Sequence, residues 1–447
     1  MRIRILLAAV LLTAMPAEAQ EVPERLTLED AVRIAKANNP NYLQTLNDVD
    51  VAAARERQGW GAFLPDLSTS LNFSGTHNRA LTGTGNFGEV LVNPEFVEST
   101  TSSASQGVGL SMTLFDGGAN LHTLRAARAS TRAVDARVAA AELQLRLEVG
   151  AAYYGLLQAM HALGVEAELL ESAHEQLRMM ERRFEIGSAR REEVLGAEAT
   201  VAAQERQMLQ AQGEVDKARL RLLQQLGVPL TASIDAVDEI PPVFDPARLD
   251  AATLIADALE ASPRLVERES SVRAAELEAK AARGSRWPKI TASASYGRSI
   301  SQENYAALFD LDPPNSRSNF TLSASLPIFD RFQTSSAITQ AEAAREDARE
   351  ALRAERLAVE AEVRAALVDL RNAYRSVQLA DRALELSQER LALTQERYRT
   401  GTSVGFIELQ NAIDQAARDE RQAIQARFGY VAALITLESK VGREVRP

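Results

Sequence analysis

The sequence predicts a mainly α-helical chain with a smaller β portion that serves as its membrane part, arranged as two copies of one structural unit. Three observations predict it: motifs that recur at matched intervals, apolar seams of coiled-coil period too long for a globular core, and four stretches in which apolar and small polar residues alternate. Of the 447 residues, 46% are hydrophobic, 25% charged and only 5% aromatic. A chain dominated by Ala, Leu, Glu, Arg and Gln favours long helices. Its 50 basic and 61 acidic side chains leave a net charge of −11. That argues against general nucleic-acid binding, which needs a basic face. The absence of cysteine excludes disulfides, thiolate metal sites, thiol nucleophiles and lipidation at an N-terminal cysteine.

The first element is a signal peptide over residues 1–19. Arg2 and Arg4 supply the charged start, residues 5–12 the apolar stretch, and Ala17-Glu18-Ala19 the cleavage signature. No later stretch approaches the ~18 uncharged apolar residues of a membrane helix. Any membrane span of this exported chain must therefore be made of strands.

The remainder divides into a repeat over 20–227, a proline-bearing linker over 228–246, and a second repeat over 247–447. Residues 26–40 (LTLEDAVRIAKANNP) resemble 249–263 (LDAATLIADALEASP), and 114–117 (LFDG) resemble 328–331 (IFDR). Pro40 to Pro65 and Pro263 to Pro288 are both 25 residues; Phe115 to Gly187 and Phe329 to Gly401 are both 72. The interval between, 50 residues in one half and 41 in the other, takes up all the length variation, as a surface loop does.

Each repeat begins with a short amphipathic helix, followed by one near 41–62 or 264–285 that Pro65 or Pro288 ends. Two strands come next. Leu67, Thr69, Leu71 and Phe73 alternate with Ser68, Ser70, Asn72 and Ser74, and Val108, Leu110, Met112 and Leu114 alternate with small residues. Ile290 to Gly297 and Asn319 to Leu326 repeat the pattern. Each alternating stretch is about nine residues, the length of a tilted membrane strand with one watery face. Four strands cannot close a barrel, and open edges are not tolerated in lipid, so the barrel must be shared between chains.

A helix of about seventy residues follows in each half (near 117–185 and 331–399), stopped by Gly187 or Gly401. Leu145, Val149, Ala152, Leu156, Ala159 and Leu163 recur at 4-3 spacing, and Leu170, Ala173, Leu177, Met180 and Phe184 continue it. The second half matches with Val359, Val363, Ala366, Leu370, Ala373 and Val377. A sustained 3.5-residue period means a left-handed coiled-coil seam. Return helices near 190–226 and 404–440 close the units. The short second helix and the return helix, about 22 and 37 residues, together match the length of the long one.

These features resemble the TolC family of outer-membrane efflux proteins. The resemblance is carried by the LFDGG run at 114–118, PIFD at 327–330, and the helix ends RFEIG at 183–187 and RYRTG at 397–401. It covers the chain in order, including its duplication. It implies a homotrimer in which each chain gives four strands to a 12-stranded outer-membrane barrel continued by a periplasmic helical tube. The implied function is a passive exit duct, not an enzyme, serving a tripartite efflux pump or a type I secretion system. The implied partners are a periplasmic adaptor (membrane fusion protein), an inner-membrane transporter of RND, ABC or MFS type, and outer-membrane lipid. No cofactor, metal or nucleic acid is implied. A periplasmic coiled-coil adaptor without a pore is the alternative.

Carried over by position, Glu193 matches an acidic gate residue and Tyr398 its tyrosine partner, which implies a Glu193–Tyr398 hydrogen bond in the closed state. The lumen-facing aspartates of some members are here Ile407 and Gln410, with Glu408 the nearest acid, and the family's gate arginine is Ser403. The hairpin tips Gly187-Ser188-Ala189 and Gly401-Thr402-Ser403 are the implied adaptor-docking points. Residues 83–88 (GTGNFG) fit a dinucleotide fingerprint in letters only, because no strand-to-helix turn surrounds them. The four histidines are scattered without metal-ligand spacing.

Overall fold

The computed structural model describes residues 25–84, 92–232, 234–237, 240–302, 315–400 and 405–446. The signal-peptide segment, most of the 83–88 run, and the tip residues Gly401, Thr402 and Ser403 lie outside the described residues. A two-residue strand β1 (Arg25–Leu26) is followed by helices α1 (Leu28–Asn38) and α2 (Pro40–Gly61), then strands β2 (Asp66–Thr84) and β3 (Val92–Phe115). Helices α3 (Ala119–Glu185) and α4 (Arg191–Leu226) complete the first half, and β4 (Asp235–Ala236) lies beyond it. The second half runs through α5 (Ala251–Ala261), α6 (Pro263–Gly284), β5 (Lys289–Gln302), β6 (Asn315–Ser325), α7 (Gln333–Arg399) and α8 (Phe406–Val441). Corresponding helices have equal lengths of 11, 22, 67 and 36 residues. The described residues form two compact units, one drawn from 25–43, 142–254 and 363–446, the other from 44–141 and 255–362. Each unit draws on both halves, and α3 and α7 run through both.

The second unit holds a four-stranded antiparallel sheet in the order β2-β3-β5-β6. Its register aligns the alternating residues across every strand. Leu67 pairs with Leu110, Leu110 with Ala294, and Ala294 with Phe320, giving one continuous apolar face. On the other face Ser68, Gly109, Ser295 and Asn319 stand in one row. Hydroxyls bond across that face, Ser74 to Ser103 and Thr291 to Ser323, each at 2.7 Å. The strands exceed the nine residues expected, at 19, 24, 14 and 11. Antiparallel pairing is made by the backbone, so the β2–β3 ladder continues past the apolar alternation into Ser, Thr and charged residues. There Arg79 pairs with Glu98 at 3.3 Å and lies 4.4 Å from the centre of the Phe96 ring.

Each long helix starts from an aspartate cap. The Asp116 carboxylate accepts from the Gly118 and Asn120 amides at 3.1 and 2.8 Å. Asp330 accepts from the Thr334 amide and hydroxyl at 2.8 and 2.5 Å. Between strand and helix the backbone is left-handed, at Gly117 and Gly118 in the first half and at Arg331 and Phe332 in the second. Asp116→Ala is expected to cost about 1 kcal/mol, the worth of a side-chain N-cap, seen as earlier loss of helical signal on heating.

In the first unit a core of Leu26, Val149, Tyr153, Leu222, Leu226 and Val431 is closed to solvent. The 228–246 segment, expected as a simple linker, is bound into this core. Its strand β4 pairs in parallel with β1. The Tyr153 hydroxyl lies 3.0 Å from the Leu26 carbonyl and 2.6 Å from that of Val237. Tyr430 accepts from the Phe244 amide at 3.3 Å and donates to its carbonyl at 3.1 Å. The end of α4 abuts the first turn of α2, as the summed helix lengths required: Asn39 donates to the Gln225 carbonyl at 2.8 Å.

The coiled-coil seam of α3 carries a charge where the apolar spacing skips a step. Glu166, midway between Leu163 and Leu170, is 7% exposed. Its carboxylate accepts from Arg421 of α8 at 2.7 Å and from Gln204 of α4 at 2.5 Å. Among the described residues no helix is long and apolar enough to cross a membrane.

Candidate gate and docking tips

Helix α3 stops because Gly187 takes a left-handed φ of 75°. The Gly187 amide then donates to the Phe184 carbonyl at 3.0 Å and Ser188 to that of Arg183 at 2.7 Å, the paired bonds of a Schellman ending. The Ala189 amide and the Ser188 hydroxyl also reach the Arg183 carbonyl, at 3.1 and 3.0 Å. At this tip Gly187 and Ser188 are exposed and Ala189 is half-buried.

Just inside the tip a cluster joins all four long helices: Met180 of α3, Val194 and Ala197 of α4, Tyr398 of α7, and Leu409 and Ile413 of α8. The Tyr398 hydroxyl accepts from Arg183 at 2.9 Å, and the guanidinium carbon lies 4.7 Å from the ring centre. The same hydroxyl donates to the Met180 sulfur at 3.9 Å. Burial pushes the Tyr398 hydroxyl above its usual range; Arg183 opposes that shift and Glu193 adds to it. Tyr398 thus stays a neutral donor at physiological pH.

The implied Glu193–Tyr398 hydrogen bond is not formed in the chain. Glu193, in the first turn of α4, accepts from the Arg190 amide at 2.8 Å. A carboxylate three residues into a helix satisfies the unpaired first amides and the helix dipole at once, and this claims the side chain. The contact that reasoning from sequence missed is that of Arg183 with Tyr398; Arg183 was named only as part of its motif. Its position in the last turn of α3, where a cation is favoured, was the available signal.

Glu408 is exposed in the first turn of α8. Gln410 donates to Asp414 at 3.0 Å while its carbonyl oxygen is buried without a partner, as is that of Gln176. Both border a cavity of about 640 Å³ among α3, α4 and α8, also lined by Glu166, Gln204 and Arg421. Nearby, burial and then Glu168 raise the Glu420 carboxyl above its ordinary 4.5, with Arg421 opposing. A raised carboxylate binds its proton more tightly when folded, so its ionised form detracts from stability as pH rises through the folded value. Glu420→Gln is therefore expected to raise the thermal midpoint at pH 8 and leave it unchanged at pH 4.

The sequence profile of the outer membrane efflux protein family matches residues 31–228 and 254–443. Protein CyaE of Bordetella pertussis is 28% identical over 328 residues, covering 72% of this chain and 65% of that protein. The pyoverdine export outer membrane protein OpmQ of Pseudomonas aeruginosa is 28% identical over 257 residues, covering 56% of this chain and 52% of that one. The chain thus spans less than two-thirds of the length of these relatives. The fold matches the crystal structure of the Campylobacter jejuni CmeC outer membrane channel with a TM-score of 0.74, at 17% identity, over 94% of this chain and 87% of that one. The family model that matches is that of outer-membrane efflux proteins, not that of a periplasmic adaptor. The chain is an outer-membrane protein and belongs to the outer membrane efflux protein family, a family of efflux channels and not of enzymes.

Proposed function

We propose that three copies of this chain close a 12-stranded barrel and form the passive outer-membrane exit duct of a tripartite efflux pump or a type I secretion system. One observation carries this reading: the sheet has a continuous apolar face, a face of small polar residues, and two outer edges, β2 and β6, that have no neighbouring strand among the described residues. An apolar outside and polar inside suit a lipid-embedded, water-filled barrel, and edges in lipid must be paired. Four strands are too few to close alone, and the choice of three chains follows the resemblance to the family. The duplicated helix lengths suit two like hairpins per chain lining the periplasmic conduit. A periplasmic adaptor would seat on the Gly187-Ser188-Ala189 tips, and on Gly401-Thr402-Ser403. The energy comes from an inner-membrane transporter of RND, ABC or MFS type.

The gate belongs to the same reading. Arg183, reaching from one hairpin to Tyr398 of the other, holds the two together near their tips, and Glu193 supports the link by fixing the start of α4. The test is reconstitution of the purified protein in planar bilayers. A sodium dodecyl sulfate-resistant trimer that conducts ions supports the duct; a monomer that stays soluble without detergent overturns it.

A further inference from the structure

We infer that the turn 330–332 of one protomer seats against the corner around Gly61 of the partner subunit, making Arg331 and Phe332 inter-subunit contacts. This rests on the shared-barrel reading above.

The chain already makes one such joint within itself. Strand β3 lies beside β5, and the turn after β3 packs on the corner before β5. A Cβ on Gly117 would stand 2.3 Å from the Gly284 carbonyl oxygen and 2.8 Å from the Trp287 Cβ, and one on Gly284 would stand 3.2 Å from the Ala119 Cβ. By the duplication, Gly117, Gly118 and Ala119 correspond to Arg331, Phe332 and Gln333, while Gly284 and Trp287 correspond to Gly61 and Leu64. Joining the open edge of β6 to β2 of the partner subunit therefore brings the second turn to the first corner, as β3 and β5 bring their equivalents together.

Both surfaces are uncovered in the chain. Among the described residues no atom lies within 4 Å of a Cβ position on Gly61, whereas the corresponding Gly284 is packed against the turn. Trp60 and Leu64 beside it are 54% and 68% exposed. On the other side Phe329 and Phe332 stack edge to face at 5.7 Å, yet each is 73% exposed, and Ile328 is 96% exposed. The two turns also differ in a telling way. Arg331 and Phe332 hold φ of 57° and 67°, where a side chain costs roughly 1–2 kcal/mol and where the in-chain turn uses glycine. With a Cβ on Arg331 the joint between chains cannot close on backbone as the in-chain joint does. It is wider, and aromatic and aliphatic side chains fill it.

The cysteine-free chain makes the test direct. Gly61→Cys with Gln333→Cys reproduces between chains the Gly284–Ala119 approach. Ser74→Cys with Thr321→Cys reproduces the Gly297–Gly107 strand pair and reports barrel closure alone. With a short bismaleimide on detergent-purified protein, both double variants are expected to give covalent trimers on denaturing gels, and the single variants none. If the strand pair crosslinks and the Gly61/Gln333 pair does not, the corner faces lipid: the inference is wrong and the barrel stands. If neither crosslinks, the shared barrel fails and takes the inference with it. Independently, Phe332→Gly keeps the left-handed turn and removes the ring, so it is expected to lower the temperature at which detergent-resistant trimers dissociate. An unchanged or higher temperature counts against the contact.

Discussion

Gly227→Ala is expected to destabilise the first unit by about 3 kcal/mol. Two costs add at this position. Its φ of 70° lies in the left-handed region, worth roughly 1–2 kcal/mol against any side chain. The added methyl would also stand 2.3 Å from the Asn38 carbonyl oxygen and 2.9 Å from the Asn39 Cα, and overpacking of this kind costs about 1–3 kcal/mol. The obstructing atoms cannot withdraw cheaply. Asn39 is 3% exposed and donates to the Gln225 carbonyl, while its own oxygen receives the Asn41 and Tyr42 amides. Moving it would break the start of α2 along with the end of α4. Thermal unfolding followed by circular dichroism measures the effect. Gly213→Ala is the contrast: it lies inside α4 with nothing within 4 Å of its Cβ position. There the better helix propensity of alanine should be neutral or favourable by up to about 1 kcal/mol.

Arg183→Ala is expected to shift the closed–open balance of the duct toward open. The Arg183–Tyr398 contact combines a charged hydrogen bond with a cation–π stack, together about 2 kcal/mol per protomer at this half-exposed site. That corresponds to roughly a thirty-fold change in the ratio of states, measurable as conductance in planar bilayers. Tyr398→Phe keeps the ring under the guanidinium and removes only the hydroxyl, so a smaller change in the same direction is expected. Glu193→Ala should cost the α4 terminus about 1 kcal/mol with little change in conductance. Should Glu193→Ala open the channel while Arg183→Ala leaves it closed, the gate assignment is reversed.

What could be read from sequence follows the reach of each physical cause. Helix ends came out within about two residues because Pro40, Pro65 and Gly187 act on their own backbone. The strand faces were legible because period two is local, and the register keeps Leu67, Leu110, Ala294 and Phe320 on one side. The strand ends were not. Residues such as Arg79 and Glu98 extend the ladder by backbone bonds, to which the identity of the side chains is nearly indifferent. The pairing of Arg183 with Tyr398 spans 215 positions, and no local pattern reports a contact of that range. Glu193 shows the opposite case: within the chain its carboxylate serves the nearby helix start, bonding the Arg190 amide, and not the distant Tyr398.

The carboxylate of Glu166 has a consequence for how the long helices find each other. Helices of 67 residues with Ala- and Leu-rich seams offer several nearly equivalent alignments, offset by one heptad, about 10 Å along the axis. Most apolar positions would meet apolar positions again after such a slip, so packing alone discriminates poorly. Glu166 cannot be hidden in that way. Displaced by a heptad from Arg421 and Gln204, it would face the seam as an unneutralised charge, a penalty of several kcal/mol. One expensive residue thereby works as a key cut into an otherwise repetitive blade, admitting a single alignment of the bundle.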